Sequence, residues 1–424
     1  MKTLLKNARI LTMKNDQIFF GNILIEDNII AKVSTSPILE EGVDKIIDCE
    51  GNLIMPGFKN AHTHSAMTFL RSKADDSSLH DWLFNEIFPR EANLHEGCVK
   101  DLSKLAILEY LTSGVTGVLD QYFFLEEFKE ACEEYNFRSV SLGMFDAEAR
   151  PTEKVRELYK DFNSSELAKM VIGMHSEYTA SDLMLQETAK LLNETHSKFY
   201  THLSETLAEV DECINKRGLT PLEFFDSLGF YDNGGAIFHG VYLSKHDLEI
   251  LKKKDITVVS CPASNMKLAS GIADIKSLLA EGINVALGTD GPASNNALDM
   301  FREMYLVTGL QKLANKDPIS IPAFEVLKMA TVNGAKAMNL DNALYVEEGQ
   351  LADLIMIDLS RPSMRPFINL INNLVYSGSK DCVKMTMVNG KILYFDGKFL
   401  INDDIFALYD RVQKLTDELG VIKK

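Results

Sequence analysis

The strongest constraint on the fold is an alternation of short apolar runs with helical segments through the middle of the chain. Segments with apolar residues at helical spacing, such as 97–114, 181–196 and 244–255, lie between the apolar runs. The candidate strands are 53–58, 115–120, 137–145, 170–175, 198–203, 235–240, 256–260 and 284–290. Eight strand and helix units predict a (β/α)8 TIM barrel, whose chemistry lies at the carboxyl ends of its strands.

Both ends of the chain show the two-residue periodicity of β-strands instead. Turn dipeptides at 27–28, 389–390 and 396–397 separate the alternating runs. We therefore expect the two ends to build one small composite β-sandwich domain, which is completed by a terminal helix. The predicted boundaries of the N-terminal β-segment, the barrel and the C-terminal β-segment with its helix are 1–54, 55–345 and 346–424.

Composition excludes several classes of function. The 424 residues carry a formal net charge of −17 with no cluster of lysine and arginine, which argues against binding to nucleic-acid phosphates. Six cysteines without C-x-x-C spacing indicate neither a disulfide framework nor a cysteine zinc site, which fits a reducing cytoplasm. No apolar stretch is long enough to span a bilayer. We expect a cytoplasmic homo-oligomer that binds a small molecule and neither nucleic acid nor membrane.

Two histidines follow the first candidate strand with one residue between them. His62 and His64 share a face of an extended backbone, so both imidazoles can reach one metal ion. His202 and Asp290 stand at the ends of two other candidate strands. Three imidazoles and a carboxylate suit Zn²⁺, with Fe²⁺ as the alternative, and leave a coordination position open. The set predicts a catalytic metal site, since such a metal lowers the pKa of water to about 7.

Two further residues are candidates for proton transfer and for orientation of the attacking water. Glu205 lies shortly after His202, where its carboxylate can reach the mouth of the barrel as a proton carrier. His239 ends another candidate strand and can hydrogen-bond a hydroxide. Each has a structural alternative, because Glu205 can cap a helix that starts near Ser204, and His239 can be a satisfied core imidazole.

Longer motifs carry a resemblance to a known family over nearly the whole chain. The matching runs are PGFKNAHTHSAMTFLR, LHDWLFNEIFPREA, THLSET, IFHGVYLS, SCPASNMKLASG and GTDGPASNNALDMFREM. They resemble the amidohydrolase superfamily, and specifically its methylthioadenosine/S-adenosylhomocysteine deaminase group. The resemblance is dense at 55–95, 200–206 and 236–300 and weak at the terminal β-segments. It implies a TIM barrel with a composite β-sandwich and one divalent metal ion.

The resemblance also implies roles for individual residues. Glu205 resembles the acid/base residue of the group, and His239 resembles its water-orienting histidine. The residues that resemble its metal ligands are His62, His64, His202 and Asp290. Those implied to bind substrate are Trp82 and Glu91 at the nucleoside, His175 near the ribose, Ser294 at the pocket rim, and Arg150 with Arg138 toward an amino-acid end.

The chemistry of some of these residues matches a nucleoside. The ionised carboxylate of Glu91 is an acceptor that can take both hydroxyls of a ribose diol. Trp82, the single tryptophan of the chain, offers a flat face for a base or a thioether, although packing is an equally good interpretation. Arg150 can pair with a carboxylate or remain a solvated charge before a helix.

The implied reaction is hydrolytic deamination of an adenosine-type nucleoside to its inosine analogue and ammonia. Hydroxide attacks C6 of the purine, Asp290 takes the proton of the attacking water, and Glu205 protonates the ring nitrogen. Two alternatives stay open: an amidohydrolase acting on another purine, a pterin or a triazine, and a non-catalytic binding protein on the same fold. The sequence does not rank methylthioadenosine, S-adenosylhomocysteine, 5′-deoxyadenosine and adenosine.

Replacing Arg150 by Met tests the expected amino-acid end of the pocket. A guanidinium that pairs with the α-carboxylate of S-adenosylhomocysteine has no partner in methylthioadenosine. We expect kcat/KM for S-adenosylhomocysteine to fall about ten- to a hundredfold, which corresponds to a charge-assisted contact of about 1.5 to 3 kcal/mol. The rate with methylthioadenosine should hardly change. Steady-state kinetics with both nucleosides on one preparation measure the ratio, and equal losses would assign Arg150 to the scaffold.

Overall fold

Two β-sheets organise the part of the chain that the computed structural model describes, residues 1–144 and 151–420. In these ranges the strands are β1 (Lys2–Leu11), β2 (Ile18–Glu26), β3 (Ile29–Ser34), β4 (Lys45–Asp48), β5 (Leu53–Pro56), β6 (Phe58–Thr63), β7 (Val115–Asp120), β8 (Arg138–Met144), β9 (Ala168–Gly173), β10 (Phe199–Leu203), β11 (Gly235–His239), β12 (Ile256–Ser260), β13 (Val285–Leu287), β14 (Leu354–Ile357), β15 (Val383–Val388), β16 (Lys391–Phe395) and β17 (Lys398–Phe399).

Helices fill most of the connections between these strands. They are α1 (Leu79–Asp81), α2 (Phe88–Glu91), α3 (Val99–Thr112), α4 (Leu125–Glu134), α5 (Thr152–Ser164), α6 (Asp182–Thr195), α7 (Leu207–Arg217), α8 (Pro221–Ser227), α9 (Lys245–Lys253), α10 (Pro262–Lys267), α11 (Ile275–Ala280), α12 (Met300–Asn315), α13 (Ala323–Ala330), α14 (Val332–Ala337), α15 (Leu370–Tyr376) and α16 (Ile405–Glu418). Across the described ranges, no helix combines the length and apolarity that crossing a bilayer requires.

The first sheet is a barrel of eight parallel strands, β6 to β13, in sequence order. Nearly all of their residues are buried, as expected where one face meets the barrel interior and the other meets helices. β6 and β13 come together where the Asp290 N–H donates to the His62 carbonyl at 3.0 Å. Gly288 permits this approach, because a Cβ there would lie 2.7 Å from the same carbonyl oxygen. The predicted (β/α)8 barrel is confirmed.

The second sheet is mixed and combines both ends of the chain. Its order is β17, β16, β15, β14, β5, β1, β2 and β3, with β4 paired to β1. The predicted turn dipeptides connect β2 to β3, β15 to β16, and β16 to β17. Asp27 and Asn389 in two of these turns have φ of 53° and 50°, the left-handed conformation that tight hairpins need. The additional β-domain from both ends is therefore confirmed.

The first barrel strand begins later than the sequence predicts. The run 53–58 is divided between two sheets, since its beginning forms β5 of the mixed sheet and the barrel strand starts at Phe58. Gly57 separates the two strands, and a Cβ at that position would lie 2.1 Å from the side chain of Thr116. Apolarity alone does not reveal where a chain leaves one sheet for another, so this strand assignment is wrong.

Local signals account for the helices that the sequence singles out, which correspond to α3, α6 and α9. Ser244 and Asp247 form a reciprocal capping box at the start of α9. Ile250 and Leu251 face the core, while Lys252 and Lys253 lie in the last turn, where positive charge is favourable. Ser181 also caps α6 through its side chain, whereas Cys98 precedes α3 without a side-chain cap.

A buried charge cluster joins the amino ends of the barrel strands to the mixed sheet. Asp353, just before β14, accepts hydrogen bonds from Arg138 Nε at 2.6 Å and Nη2 at 3.2 Å. Lys59 Nζ lies 3.6 Å from the same carboxylate. Burial opposes ionisation of Asp353, but Arg138 and Lys59 outweigh it and lower the pKa of the carboxyl. Arg138 therefore points away from the catalytic face, and its expected position at the amino-acid end is wrong.

We expect Asp353→Asn to destabilise the fold strongly. The change leaves two buried cations without their counter-charge, which costs about 3 to 5 kcal/mol. Asp161→Asn is the matched control, because Asp161 is 59% exposed in its pair with Lys129. Breaking such a pair costs about 1 kcal/mol or less. Urea unfolding followed by circular dichroism compares the two variants, and equal midpoints would contradict a stabilising role for the cluster.

Candidate active site

Side chains from the carboxyl ends of four barrel strands converge on one point of the barrel mouth. β6 leads to His62 and His64, β10 carries His202, β11 ends at His239, and the segment after β13 carries Asp290. The two β6 histidines face the same side, as their spacing predicts. The ring of His62 also stacks on Phe238 beneath it, with centroids 3.8 Å apart. The carboxyl ends of strands from different parts of the ring thus bring the predicted residues to one place.

Four of these side chains form a group that fits a single divalent metal ion. His62, His64, His202 and Asp290 each offer a ligand atom, and these atoms lie within 4.8 Å of one another. His62 is fully buried, and among the described residues neither of its ring nitrogens has a hydrogen-bond partner. Buried polar atoms are almost always satisfied, so an unpaired imidazole at this point is what a metal ligand requires.

Hydrogen bonds behind two imidazoles determine which nitrogen faces the metal group. Nδ1 of His64 donates to the Gln121 carbonyl at 2.5 Å, and Nδ1 of His202 donates to the His175 carbonyl at 2.8 Å. A ring that donates through Nδ1 presents Nε2 as a lone-pair donor to a metal. The backbone at the ends of β7 and β9 therefore orients the ligands.

Two serines hold the remaining ligand, Asp290. Ser264 Oγ and Ser294 Oγ donate to its Oδ2 at 2.5 and 2.9 Å. Its Oδ1 lies 3.4 and 3.2 Å from Nε2 of His62 and His64. The sequence resemblance expects Ser294 at the pocket rim, but the structure places it behind the carboxylate, where it is buried.

Burial and charge balance set the protonation of the metal group. Burial lowers the pKa of His62 to about 3 and that of His202 well below its ordinary value, so both rings are neutral. Burial works against charge on Asp290, but the close His62 and His64 rings hold the pKa of its carboxyl well below the usual range. Burial also opposes charge on His64, yet its bond to Asp290 raises its pKa to about 9. A cation would replace that proton on binding.

Glu205 and His239 face each other beside the metal group. Oε2 of Glu205 lies 3.7 Å from Nε2 of His239, and Ser270 Oγ donates to its Oε1 at 2.9 Å. Burial raises the pKa of Glu205, so the carboxyl holds a proton more readily than a solvated glutamate. Nδ1 of His239 donates to Asn265 Oδ1 at 2.7 Å, which leaves Nε2 toward the pocket. Thr206 caps α7, so Glu205 is free of that structural role.

A glutamate that the sequence analysis does not single out holds the backbone of this loop. The carboxylate oxygens of Glu209 accept the N–H groups of Ser204 and Glu205 at 2.7 and 2.8 Å. Ser204 has a φ of 54°, a conformation that non-glycine residues adopt only when their surroundings enforce it. In sequence Glu209 resembles any acidic residue in a first helical turn, so no local signal separates it from a surface position.

A helical segment, residues 79–91, covers the site and completes a pocket. Trp82 and Glu91 from this segment line the pocket together with His175 and Glu205. Within the described residues, Nε1 of Trp82 and Oε1 of Glu91 are buried without hydrogen-bond partners. The structure therefore brings these four predicted residues together. Arg150 lies outside the described residues.

Gln121 and Tyr122 also line the pocket and are absent from the sequence prediction. Gln121 and Tyr122 are the first and second residues after β7, and His175 is the second residue after β9. Burial raises the pKa of Glu91, and the neighbouring Tyr122 hydroxyl opposes that rise. Their position after a strand is the only available signal, and it does not separate a pocket residue from an ordinary loop residue.

Comparison with known proteins agrees with this geometry. The model of the amidohydrolase family matches residues 53–393. The chain belongs to the amidohydrolase family. This amidohydrolase is 42% identical over 401 residues to the 5-methylthioadenosine/S-adenosylhomocysteine deaminase of Thermococcus sibiricus. The alignment covers 93% of this chain and 94% of that protein. The chain is 37% identical over 407 residues to the 5′-deoxyadenosine deaminase of Methanosphaera stadtmanae, with 94% and 95% covered.

A solved structure is similar over the same extent. The zinc-bound adenosine deaminase from Xanthomonas campestris aligns with a TM-score of 0.92 at 28% identity and covers 99% of each chain. The family resemblance seen in the sequence is confirmed. The amidohydrolase fold and the three-histidine, one-aspartate group together indicate a site for a single divalent metal ion.

We expect the purified amidohydrolase to bind about one divalent ion per chain and His64→Ala to lose it, because three remaining ligands hold a metal poorly. His246→Ala is the matched control, since His246 lies exposed on α9. Affinity for Zn²⁺ should weaken as pH falls below about 9, where His64 holds the proton that the metal must displace. Elemental analysis and calorimetric titration measure both effects, and stoichiometric metal in His64→Ala would contradict this ligand set.

Proposed function

We propose that this amidohydrolase hydrolyses the 6-amino group of adenosine-type nucleosides and releases the inosine analogue and ammonia. The observation that carries the proposal is the buried Glu205 carboxyl beside the metal group, at the side of a pocket that also contains Glu91. The activities that name the two relatives support this substrate class. The candidates are 5′-methylthioadenosine, S-adenosylhomocysteine, 5′-deoxyadenosine and adenosine.

Zn²⁺ is the metal we propose, with Fe²⁺ as the alternative. Three imidazole nitrogens and one carboxylate oxygen match the preference of Zn²⁺ for mixed nitrogen and oxygen ligands with an open position. The zinc in the similar adenosine deaminase structure supports the choice. When bound, the ion supplies Lewis-acid activation of water.

Glu205, His239 and Asp290 divide the proton transfers in the proposed reaction. As the water oxygen bonds to C6, Asp290 accepts a proton and Glu205 delivers one to N1 of the purine, so the ring holds no net negative charge. Asp290 then gives its proton to the amino nitrogen, the C6–N bond breaks, and ammonia leaves with the bonding electron pair. The hydroxyl proton at C6 returns to the enzyme, which restores the Glu205 carboxyl and leaves the carbonyl of the inosine analogue. Burial keeps the Glu205 carboxyl protonated more easily, and Ser270 fixes its orientation. Burial also disfavours charge on His239, but the carboxylates of Glu205 and Asp290 outweigh it and raise its pKa. A protonated His239 can hydrogen-bond the oxygen that develops at C6.

The covering segment and His175 supply the groups that we propose for the rest of the nucleoside. Oε1 of Glu91 is a buried acceptor without a partner in the described ranges, and a ribose diol offers two donors. Nε1 of Trp82 is a buried donor that also lacks a partner in the described ranges, and the indole ring offers a flat apolar face. Burial lowers the pKa of His175 to about 4, so its neutral ring can contact the sugar without introducing charge.

The change Glu205→Gln separates catalysis from binding. It keeps the shape of the side chain but removes the proton carrier, so kcat should fall about a hundredfold or more while the metal stays bound. Glu212→Gln, at an exposed position of α7, is the matched control and should retain activity. The decrease of adenine absorbance with each of the four nucleosides measures turnover. Loss of metal together with activity would make Glu205 structural, and a parent enzyme inactive on all four would overturn the proposed function.

A further inference from the structure

One polar group of the pocket has no part in the proposed reaction, the side-chain amide of Gln121. It lines the pocket and is only 2% exposed. Its Nε2 lies 3.2 Å from the thioether sulfur of Met144, which is a weak acceptor. Among the described residues, its Oε1 has no hydrogen-bond partner. A buried carbonyl that borders a pocket and lacks a partner is a group that a ligand is expected to satisfy.

The barrel topology places Gln121 opposite the proton carrier. Glu205 follows β10, but its carboxyl contacts His239, which ends β11, and Ser270, which follows β12. Gln121 follows β7 and Met144 ends β8. β7 and β11 are four positions apart in a ring of eight strands, as are β8 and β12. These pairs therefore form facing walls of the pocket, with the metal group at the bottom.

The proposed position of the purine fixes where the rest of the nucleoside extends. With C6 at the metal group and N1 at Glu205, N9 and its ribose lie at the other end of the ring system, on the wall of Gln121. Glu91 in the covering segment is the acceptor for the hydroxyls at C2′ and C3′. C5′ leaves the sugar from C4′, on the side away from this diol. The substituent at C5′ thus faces the wall that Gln121 and Met144 form.

We propose that the side chain of Gln121 contacts the substituent at C5′ and favours substrates in which this substituent carries a hydrogen-bond donor, such as the 5′-hydroxyl of adenosine. The inference rests on the proposed deaminase function. Oε1 accepts a hydrogen bond from a hydroxyl at this position. The methyl group of 5′-deoxyadenosine and the thioether of methylthioadenosine bring no donor and leave the carbonyl unpaired in a closed pocket. A site that hydrogen-bonds a substrate hydroxyl disfavours an analogue without that hydroxyl, because the buried carbonyl then stays unpaired at a cost in free energy.

The experiment compares adenosine with 5′-deoxyadenosine, which differ only in the 5′-hydroxyl. Gln121→Met keeps the length of the side chain and removes both polar atoms. We expect the ratio of kcat/KM for adenosine to that for 5′-deoxyadenosine to fall about five- to tenfold. Gln121→Glu retains an acceptor of the same reach and should retain the ratio.

Gln311→Met is the matched control for removing a buried amide. Gln311 lies on α12, is also 2% exposed, and likewise has an Oε1 without a partner in the described ranges. It lies apart from the residues that line the pocket of Gln121. The ratio of the two kcat/KM values should therefore be unchanged in this variant, while any effect of a buried polar group on stability should be similar.

An unchanged ratio of the two kcat/KM values in an active Gln121→Met enzyme would overturn the inference. If both values fall by the same factor, Gln121 supports His64 and does not contact the C5′ substituent. A metal-loaded parent that deaminates methylthioadenosine but neither of these two nucleosides would overturn the inference alone, whereas a parent inactive on all four candidate nucleosides would overturn the proposed function. If Gln121→Met does not fold, product inhibition of the parent replaces it: inosine should bind about five- to tenfold more tightly than 5′-deoxyinosine, and equal constants would overturn the inference.

Discussion

The hydrogen bond from the Asp290 N–H to the His62 carbonyl connects the fold to the chemistry. It joins the last barrel strand to the first, and both of its residues belong to the metal group. The bond requires Gly288 without a side chain and Asp290 at a φ of 58°, so the backbone there is set by closure of the ring. His62 lies in the first strand of the barrel and Asp290 just after the last. The distance between these two metal ligands is therefore set by the contact that closes the barrel.

Much of this arrangement can be predicted from sequence, because strand ends and ligand types are local features. The eight-unit alternation predicts the barrel, and His62, His64, His202 and Asp290 each stand at or just past a strand end. What sequence does not show is the partner of a polar residue that lies near a strand end. Arg138 begins β8 at the closed end and pairs with Asp353, 215 positions away in the chain. A partner that distant leaves no local pattern.

The residues that sequence misses have roles defined by their surroundings. Gln121 stands out because its carbonyl oxygen lacks a partner, and Glu209 because its carboxylate accepts two backbone N–H groups of one loop. Both properties exist only in the folded protein, so the sequence does not reveal them. The division of 53–58 between two sheets is of the same kind, since it depends on the closeness of Gly57 to Thr116 on the neighbouring strand.

Two buried charge centres lie at opposite ends of the barrel and differ in how their negative charge is balanced. At the amino ends, Asp353 has two cationic partners in place, so its charge is balanced by the protein alone. At the carboxyl ends, Asp290 is balanced by a proton on His64, which a divalent ion can displace. An apolar layer that includes Phe238 separates the centres and keeps both in a poorly screened interior. The cluster at the amino ends of the strands can therefore stabilise the fold whether or not the carboxyl ends bind a metal. The site at the carboxyl ends is then free to exchange protons and ligands during turnover.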